Sequence, residues 1–550
     1  MADIVIVNPR FDISFWGFEH CMPLFGKNAN LPVACLGLLA ALVPDHHDVT
    51  LIDENVEDID FDRLGRADLV CLTGMSIQGA RLIEILAEVR ARGVMTVVGG
   101  PMATVEPEVL EGLTDVLFLG EADETWPEFL AAWEKGTHKT RYEQAEKTDV
   151  AKLPLPRNDL LKANRYMFGS MQISRGCPFT CEFCDIIVTF GRRPRLKESA
   201  QVIAELESFL KIGLKMVFVV DDNLIGNKKA IKPILRDIAE WQQARGYPLT
   251  LFTEASLDLA EDEELMELMG LASFQNVFIG IETPNEESLR ETKKLQNVRP
   301  NAGSLVDRVH RIQNHGIDVW CGMIVGFDND DTSIFKAIPQ FLSRARISTA
   351  LVGMLHAIPT TPLHKRLKEA GRLNNAEEAE FYGTNVEPLG MSREELRDGF
   401  IQVMQESYAI DAYFERLDSQ FIDQDFKFTV HELPYWSNWR WAWAKRASLN
   451  YVRFIGIAWR LLGLVKDRVQ RARYRSQLVQ VARKRWREPH ILFIYALKTA
   501  THYHFAELAR SIADVDPETG AMSDAGRSFS RARNVEAEAA EEKDKEAIAA

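Results

Sequence analysis

What most restricts the fold of this chain is a repeated succession of short, uninterrupted apolar runs, each followed by a stretch of helical period. The first series is IVIVNP (4–9), VTLID (49–53), LVCLTGM (69–75), TVVGGP (96–101) and VLFLGE (116–121), with helical periodicity over 79–92 and 124–134. Runs that are apolar at every position suit strands covered on both faces, which is the condition of a parallel sheet. Residues 1–135 are therefore expected to form a Rossmann-like, doubly wound α/β domain with its ligand beyond the carboxyl ends of the strands. A second series follows: MQIS (171–174), MVFVVD (216–221), LTLFTE (249–254), VFIGIE (277–282), VWCGMIVGF (319–327) and TALVGML (349–355). It predicts a partial (β/α) barrel over 171–362, whose functional groups belong at the C-terminal strand ends. Residues 136–170, polar and carrying LPLPR, read as a linker. Residues 363–510 read as a mainly helical extension, and 511–550, rich in Ala, Glu and Lys, as a disordered tail. One stretch breaks the regularity. Residues 10–32 are long for a loop at a sheet's ligand end, and their aromatics speak for an ordered, functional segment.

The strongest chemical signal is RGCPFTCEFC, which spaces Cys177, Cys181 and Cys184 as C-x3-C-x2-C just after the first strand of the second series. Seven cysteines in 550 residues do not make a disulfide framework. Three of them within eight residues point to metal ligation in a reducing compartment. Three thiolates hold three irons of a 4Fe–4S cubane. The fourth iron stays open, as catalytic metal sites keep a free position. Such an iron can chelate the amino and carboxylate groups of S-adenosylmethionine (SAM) and deliver the electron that breaks its C–S bond, the cofactor carrying the radical chemistry. A structural zinc site is the alternative, but it asks for a nearby fourth ligand, and no cysteine recurs before Cys321. Cys21, Cys35, Cys71 and Cys321 sit in apolar contexts and read as buried thiols.

With the segments DIIVTFGRRPRLK (185–197), VDDNLIGNKK, FTEASLDLA, GIETPNEESL and IVGFD, this motif resembles the radical SAM superfamily. Over roughly residues 1–430 the chain looks like the cobalamin-binding members, in the branch with a helical C-terminal extension that includes hopanoid methylases. The resemblance implies that Asp221, Asp222 and Asn223 meet the SAM amino group, an ammonium that needs acceptors. It also implies that Glu254 and Glu282, closing consecutive strands, face the SAM ribose or the substrate as catalytic groups. Gly326 falls where adenine packs, and a missing side chain permits close approach. In the first domain, Ser76, Gln78 and the pair Gly99–Gly100 end strands at the edge expected to hold cobalamin. The usual cobalamin motif, Asp-x-His-x-x-Gly after the first strand, is absent. Only His20 lies nearby, in surroundings that do not match, and members of this class need no histidine on cobalt.

The charge distribution adds a further constraint. The chain carries a formal net charge of −15, yet residues 440–488 hold 14 Lys/Arg against Asp467 and Glu488. Within them, YWSNWRWAWAKRASLNYVRFIGIAWRLLGLV (435–465) interleaves Trp and Tyr with cations, as membrane interfaces select. The basic residues that follow strengthen attraction to anionic lipid. Segment 435–487 is thus expected to touch a membrane peripherally; an amphipathic helix covering the barrel is the alternative. Nucleic acid is disfavoured, because the acidic remainder repels a long polyanion. No run of about 18 apolar residues marks a span, and the N-terminus lacks a signal-peptide pattern. A cytoplasmic enzyme, peripheral to the inner membrane, is the expectation.

Together these readings predict a cobalamin-dependent radical SAM C-methyltransferase for an unactivated carbon of a lipid-like, hopanoid or isoprenoid substrate, reduced by a ferredoxin or flavodoxin. A radical route fits because no general base deprotonates an alkane-like carbon at neutral pH. Ring closure, oxidation or rearrangement without methyl transfer stays open, as does a non-catalytic cobalamin- or lipid-binding protein. A tRNA methylthiotransferase is disfavoured, since that chemistry typically uses a second cluster with more cysteines in the N-terminal domain.

Overall fold

The computed structural model describes residues 1–374, 383–424, 426–428 and 432–513. Most of the expected tail (514–550) therefore lies outside the described residues; residues 511–513 close the last helix. Six parallel strands build the first sheet: β1 (Asp3–Asn8), β2 (Asp48–Asp53), β3 (Leu69–Thr73), β4 (Met95–Gly99), β5 (Val116–Leu119) and β6 (Arg141–Glu143), in the order β2-β1-β3-β4-β5-β6. Its two faces explain the uninterrupted apolar runs. Val5, Val7, Val70 and Leu72 pack on one side with Leu82 and Leu86 of helix Gly79–Ala91. Ile4, Ile6, Leu69 and Cys71 pack on the other with Leu36, Trp126 and Phe129. The strand order reverses between β1 and β3, the switch point where such folds bind ligands.

Strand β6 lies inside the stretch read as a linker, and this corrects that expectation. Arg141 and Glu143 point to solvent while Tyr142 is buried, its ring stacked on Phe118 at 5.0 Å. A single apolar residue between two charged ones leaves no periodic signal, so this edge strand was invisible in the sequence. The rest of the stretch is also tied down. The Tyr166 hydroxyl donates to Asp53 Oδ2 at 2.7 Å, and the Arg157 amide donates to the Gly37 carbonyl.

The second sheet is open and wholly parallel: β7 (Gly169–Met171), β10 (Met216–Val219), β11 (Thr250–Ala255), β12 (Phe274–Glu282), β13 (Asp318–Val325) and β14 (Ala350–Met354), in the order β14-β13-β12-β11-β10-β7. Its ends remain unjoined, as a partial barrel requires. The first strand stops three residues earlier than the apolar run suggested. Asp221 accepts the amides of Ile173 and Ser174 and pulls the chain out of the sheet. Ser174–Arg175 (β8) then pairs antiparallel with Arg195–Leu196 (β9), closing the cysteine loop at its base.

The loop 10–32 enters the barrel. Trp16 stacks on Phe218 (5.8 Å) and contacts Phe278 (5.0 Å), while Phe15 stacks on Phe505 of helix Pro489–Ala513 and Phe18 meets Trp320. The helical extension begins at helix Pro362–Glu369, where Arg366 reaches Glu182, Asp328 and Glu291.

The cysteine loop is locked to the first sheet by buried charge. Arg175 pairs with Glu121 (2.8 Å) and Asp123 (2.5 Å), and Arg195 pairs with the same Glu121 (3.0 Å). Removing one member strands its partners in a poorly solvated place. Glu121→Ala is expected to cost about 3–5 kcal/mol, the usual penalty for breaking a buried pair. The reading is a lower midpoint in urea unfolding; an unchanged midpoint would show that the clamp carries no net stability.

Candidate active site

The carboxyl ends of both sheets border one cavity of about 1910 Å³ with a mostly apolar wall. From the first sheet come Asn8, Gly74, Ser76, Gln78, Gly100 and Thr104; from the second come Gln172, Ser174, Asp222, Glu254 and His356. Asp185, Ile186 and Phe190, just past the last cysteine of the motif, also line it.

Cys177, Cys181 and Cys184 are all unbridged thiols on the loop after β8. Their environment suits an iron–sulfur cluster. Asn223 Nδ2 lies 3.9 Å from Cys177 Sγ and Gln296 Nε2 lies 3.5 Å from Cys181 Sγ, placing amide donors on two of the sulfurs. Burial pushes the Cys184 thiol up to about 12 and raises Cys177 as well, so the thiolates need compensating positive charge. Lys294 supplies part of it. Burial opposes its charge, but Glu282 and the thiols of Cys181 and Cys184 outweigh that and hold the ammonium above its ordinary value. A cluster bound by three cysteines, hydrogen-bonded through sulfur and set beside a cation, fits these residues.

The acidic residues separate into different roles. Asp221 Oδ1 accepts from the Ile173 amide and Oδ2 from the amide and hydroxyl of Ser174, so its carboxylate is spent on shaping the chain before the cysteine loop. Burial nevertheless raises it to about 6. Asp222 faces the cavity and accepts the Gly176 amide at 2.7 Å; burial, then Asp221 and Asp185, raise it to about 7. Glu254 also faces the cavity, and no hydrogen bond to its carboxyl is found among the described residues. Burial first, then Asp222 and Asp221, lift it to about 8. Asn223 bridges Cys177 and Ser256, whose hydroxyl reaches Asp258.

Glu282 has a different neighbour from the one expected. A register shift between Gly280 and Glu282 and a left-handed φ of 69° turn it back over Gly280, where it pairs with Lys294 at 2.5 Å. It supports the cation beside the cysteines and does not line the cavity. Gly326 also differs. Its φ is +99°, its amide is held by Asp330, and a Cβ would meet Leu396 at 2.9 Å, so packing and backbone explain the glycine without a ligand.

In the first domain, Ser76 and Gly100 border the cavity as expected. Gly100 has a φ of +97°, and a Cβ there would strike Thr73 Oγ1, so no other residue fits that turn. Gln78 lines the cavity too, with its amide spent on Asn8 and Pro9. Gly99 is not in the wall and packs against Phe118. His20 sits against His504, with ring centroids 5.4 Å apart, outside the cavity wall. Cys21, Cys71 and Cys321 are buried in core clusters, whereas Cys35 borders the cavity beside Thr73. Lys294, Gln296, Glu121 and His356 escaped the sequence reading. Each lies far along the chain from the cysteine motif, and none stands in a recognisable pattern with it. His356, which follows β14, is the one imidazole in the cavity wall among the described residues; burial, then His364, lowers its basicity.

Two family models match the chain: the radical SAM superfamily over residues 171–341, and a domain of unknown function (DUF4070) over 361–516. An uncharacterized methyltransferase of Synechocystis is 39% identical over 416 residues, covering 75% of this chain and 77% of that protein. Hopanoid C-2 methylase of Rhodopseudomonas palustris is 34% identical over 426 residues, covering 76% and 79%. Among solved structures, the radical SAM methyltransferase TsrM of Kitasatospora setae, with cobalamin and a 4Fe–4S cluster bound, has a TM-score of 0.56 at 19% identity, covering 73% of this chain and 85% of its own. That likeness speaks for the fold.

Two measurements probe the site. Gln296→Leu should retain its iron while the cluster's reduction potential becomes more negative, because an N–H···S bond that favours the reduced state is lost. Voltammetry of the anaerobic protein reads it, and an unshifted potential would remove Gln296 from the cluster's surroundings. Second, Glu254 holds its proton more tightly folded than unfolded. Stability of the ligand-free chain should therefore fall as pH rises from about 4.5 to about 8, with Asp222 adding to the same slope. Glu254→Gln should flatten that fall in denaturation midpoints taken across the range.

Proposed function

The chain belongs to the radical SAM methyltransferases, alongside hopanoid C-2 methylase, and from that membership we propose that it methylates an unactivated carbon of a lipid-like, hopanoid- or isoprenoid-type substrate with the help of cobalamin. The observation that carries this reading is the single cavity bordered by the carboxyl ends of both sheets. One wall offers a glycine-lined, polar sheet edge suited to a corrinoid. The other offers the half-buried carboxylates Asp222 and Glu254 and the residues that flank the cysteines, Ser174–Arg175 and Asp185–Ile186; the three cysteines themselves are not among the lining residues. When bound, the cluster supplies the electron that cleaves SAM and cobalamin supplies the methyl group.

The residues of the chain do the holding and excluding. Cys177, Cys181 and Cys184 bind the cluster, and Asn223, Gln296 and Lys294 support their sulfurs. Asp222 and Glu254 present acceptors for an ammonium or for sugar hydroxyls at the adjoining strand ends. Bringing a cation to Glu254 would ionise it, so SAM binding and proton release are coupled at this site. Ser76, Gly100 and Thr104 frame the corrinoid edge, with no imidazole from the first sheet among the described cavity-lining residues. The mostly apolar wall keeps water from a reactive carbon and suits a hydrocarbon substrate.

A small-molecule substrate and a one-electron reductant, a ferredoxin or flavodoxin, complete the scheme. No described helix is long and apolar enough to cross a membrane. Peripheral contact through 435–487, on the cytoplasmic face of the inner membrane, fits a lipid-like substrate.

The test is anaerobic incubation of reconstituted protein with SAM, reductant, methylcobalamin and a bacterial lipid extract. Both 5′-deoxyadenosine and S-adenosylhomocysteine should form, with a new methylated lipid by mass, and Cys181→Ala should form none of them. Deoxyadenosine alone would point to cyclisation or rearrangement and sink the methyl-transfer reading.

A further inference from the structure

The helix Arg440–Leu464 has two opposed faces with different occupants. Ala447, Asn450, Ile457 and Leu461 are buried on one, where the helix packs against helix Pro489–Ala513. On the opposite side, Trp441, Val452, Ile455 and Trp459 fall at the spacing of one helical stripe. They are 91%, 67%, 63% and 76% exposed. Exposed Ser448 interrupts the stripe between Trp441 and Val452, and Val452, Ile455 and Trp459 form its continuous apolar part; such a patch left in water marks an interaction site.

Two further observations say what covers it. Lys445, Arg453 and Arg460 flank the stripe and are exposed. The next helix, Arg468–Lys484, adds a dense set of cations, with Val469 79% exposed beside them. Aromatic and aliphatic side chains on one face with cations at its borders match an anionic lipid surface in both polarity and charge. The same helix also touches the rim of the active-site cavity. Arg460 Nη1 donates to the Leu24 carbonyl at 2.8 Å, and the flanking residues Pro23 and Gly26 are both solvent-exposed and part of the cavity wall. Pro23 and Gly26 are among the cavity-wall residues that reach solvent, so this helix lies beside one exposed part of the wall.

We propose that the Trp441–Val452–Ile455–Trp459 face seats on an anionic bilayer and holds the exposed part of the cavity wall at Pro23–Gly26 against the membrane, so that a lipid substrate passes from bilayer to active site without crossing water. The passage rests on the lipid-substrate reading above; the seating does not. Entry along this path removes the cost of exposing a hydrocarbon to solvent.

The experiment is flotation of the reconstituted full chain with phosphatidylcholine vesicles, with and without phosphatidylglycerol, alongside the double variant Val452→Glu/Ile455→Glu. Both positions are solvent-exposed, so the variant should keep its circular dichroism and melting curve. The parent should float with phosphatidylglycerol vesicles and show a blue-shifted tryptophan emission. The floated fraction should fall by roughly tenfold in the variant or when the anionic lipid is omitted. Failure of the parent to float, or equal flotation of the variant, overturns the proposal. So does a parent dimer in solution that the double variant dissociates, since that assigns the face to a second copy of the chain. Deoxyadenosine formation in detergent, measured on the same preparations, separates the two readings: cleavage of SAM without flotation sinks the membrane seat and leaves the radical chemistry standing.

Discussion

Everything at the site depends on burying four charges together. Arg175 and Arg195, on the two short strands that close the cysteine loop, meet Glu121 and Asp123 just past β5 of the first sheet. Charges taken out of water are tolerated only when paired and hydrogen-bonded. Any slippage of one sheet against the other would leave an arginine or a carboxylate uncompensated, so the contact has one low-energy arrangement. That arrangement sets the loop meant for the cluster at the edge of the same cavity that the first sheet borders. Two sheets that share no strand pairing among the described residues thereby face each other carboxyl end to carboxyl end.

Within the cavity, neighbouring carboxylates are differentiated by what they accept. Asp221 is saturated by backbone and hydroxyl donors and works as a structural staple. Asp222 keeps one donor, and Glu254 has none among the described residues. All three are raised by burial, most strongly Glu254. Such a group resists ionisation in the empty pocket, and a cation placed beside it would favour the ionised form. Lys294 works in the reverse sense. It is a buried cation held charged by Glu282 and by the thiols beside it, and it lowers the electrostatic cost of gathering thiolates.

The helical extension is part of the same construction. Arg366 joins Glu182 of the cysteine loop to Asp328 after β13, and the loop 10–32 packs its aromatics between the barrel interior and helix Pro489–Ala513. Lys498 from that last helix pairs with Asp318 at the start of β13, at 2.6 Å. The barrel is thus filled from one end by a loop of the first domain and braced from outside by the extension. Both consist of segments whose sequence shows only aromatic or basic composition.

Local chemistry made much of this legible beforehand. Parallel strands covered on both faces must be apolar at every position, so both βα series stood out, and C-x3-C-x2-C has few physical readings. Polar residues at strand ends also follow from the fold class, and Asp222, Glu254, Ser76 and Gly100 do border the cavity. Strand β6 was lost because one buried tyrosine has no period. Glu282 and Gly326 lie outside the cavity wall because a register shift and a left-handed turn decide where the chain points, and neither leaves a mark in composition. Lys294, Gln296 and the Glu121 clamp belong to the tertiary structure alone. Sequence patterns record constraints between residues a few positions apart, set by strand and helix geometry. The partners of a buried charge or a thiolate are chosen by proximity in space, across tens to hundreds of residues, and only folding reveals them.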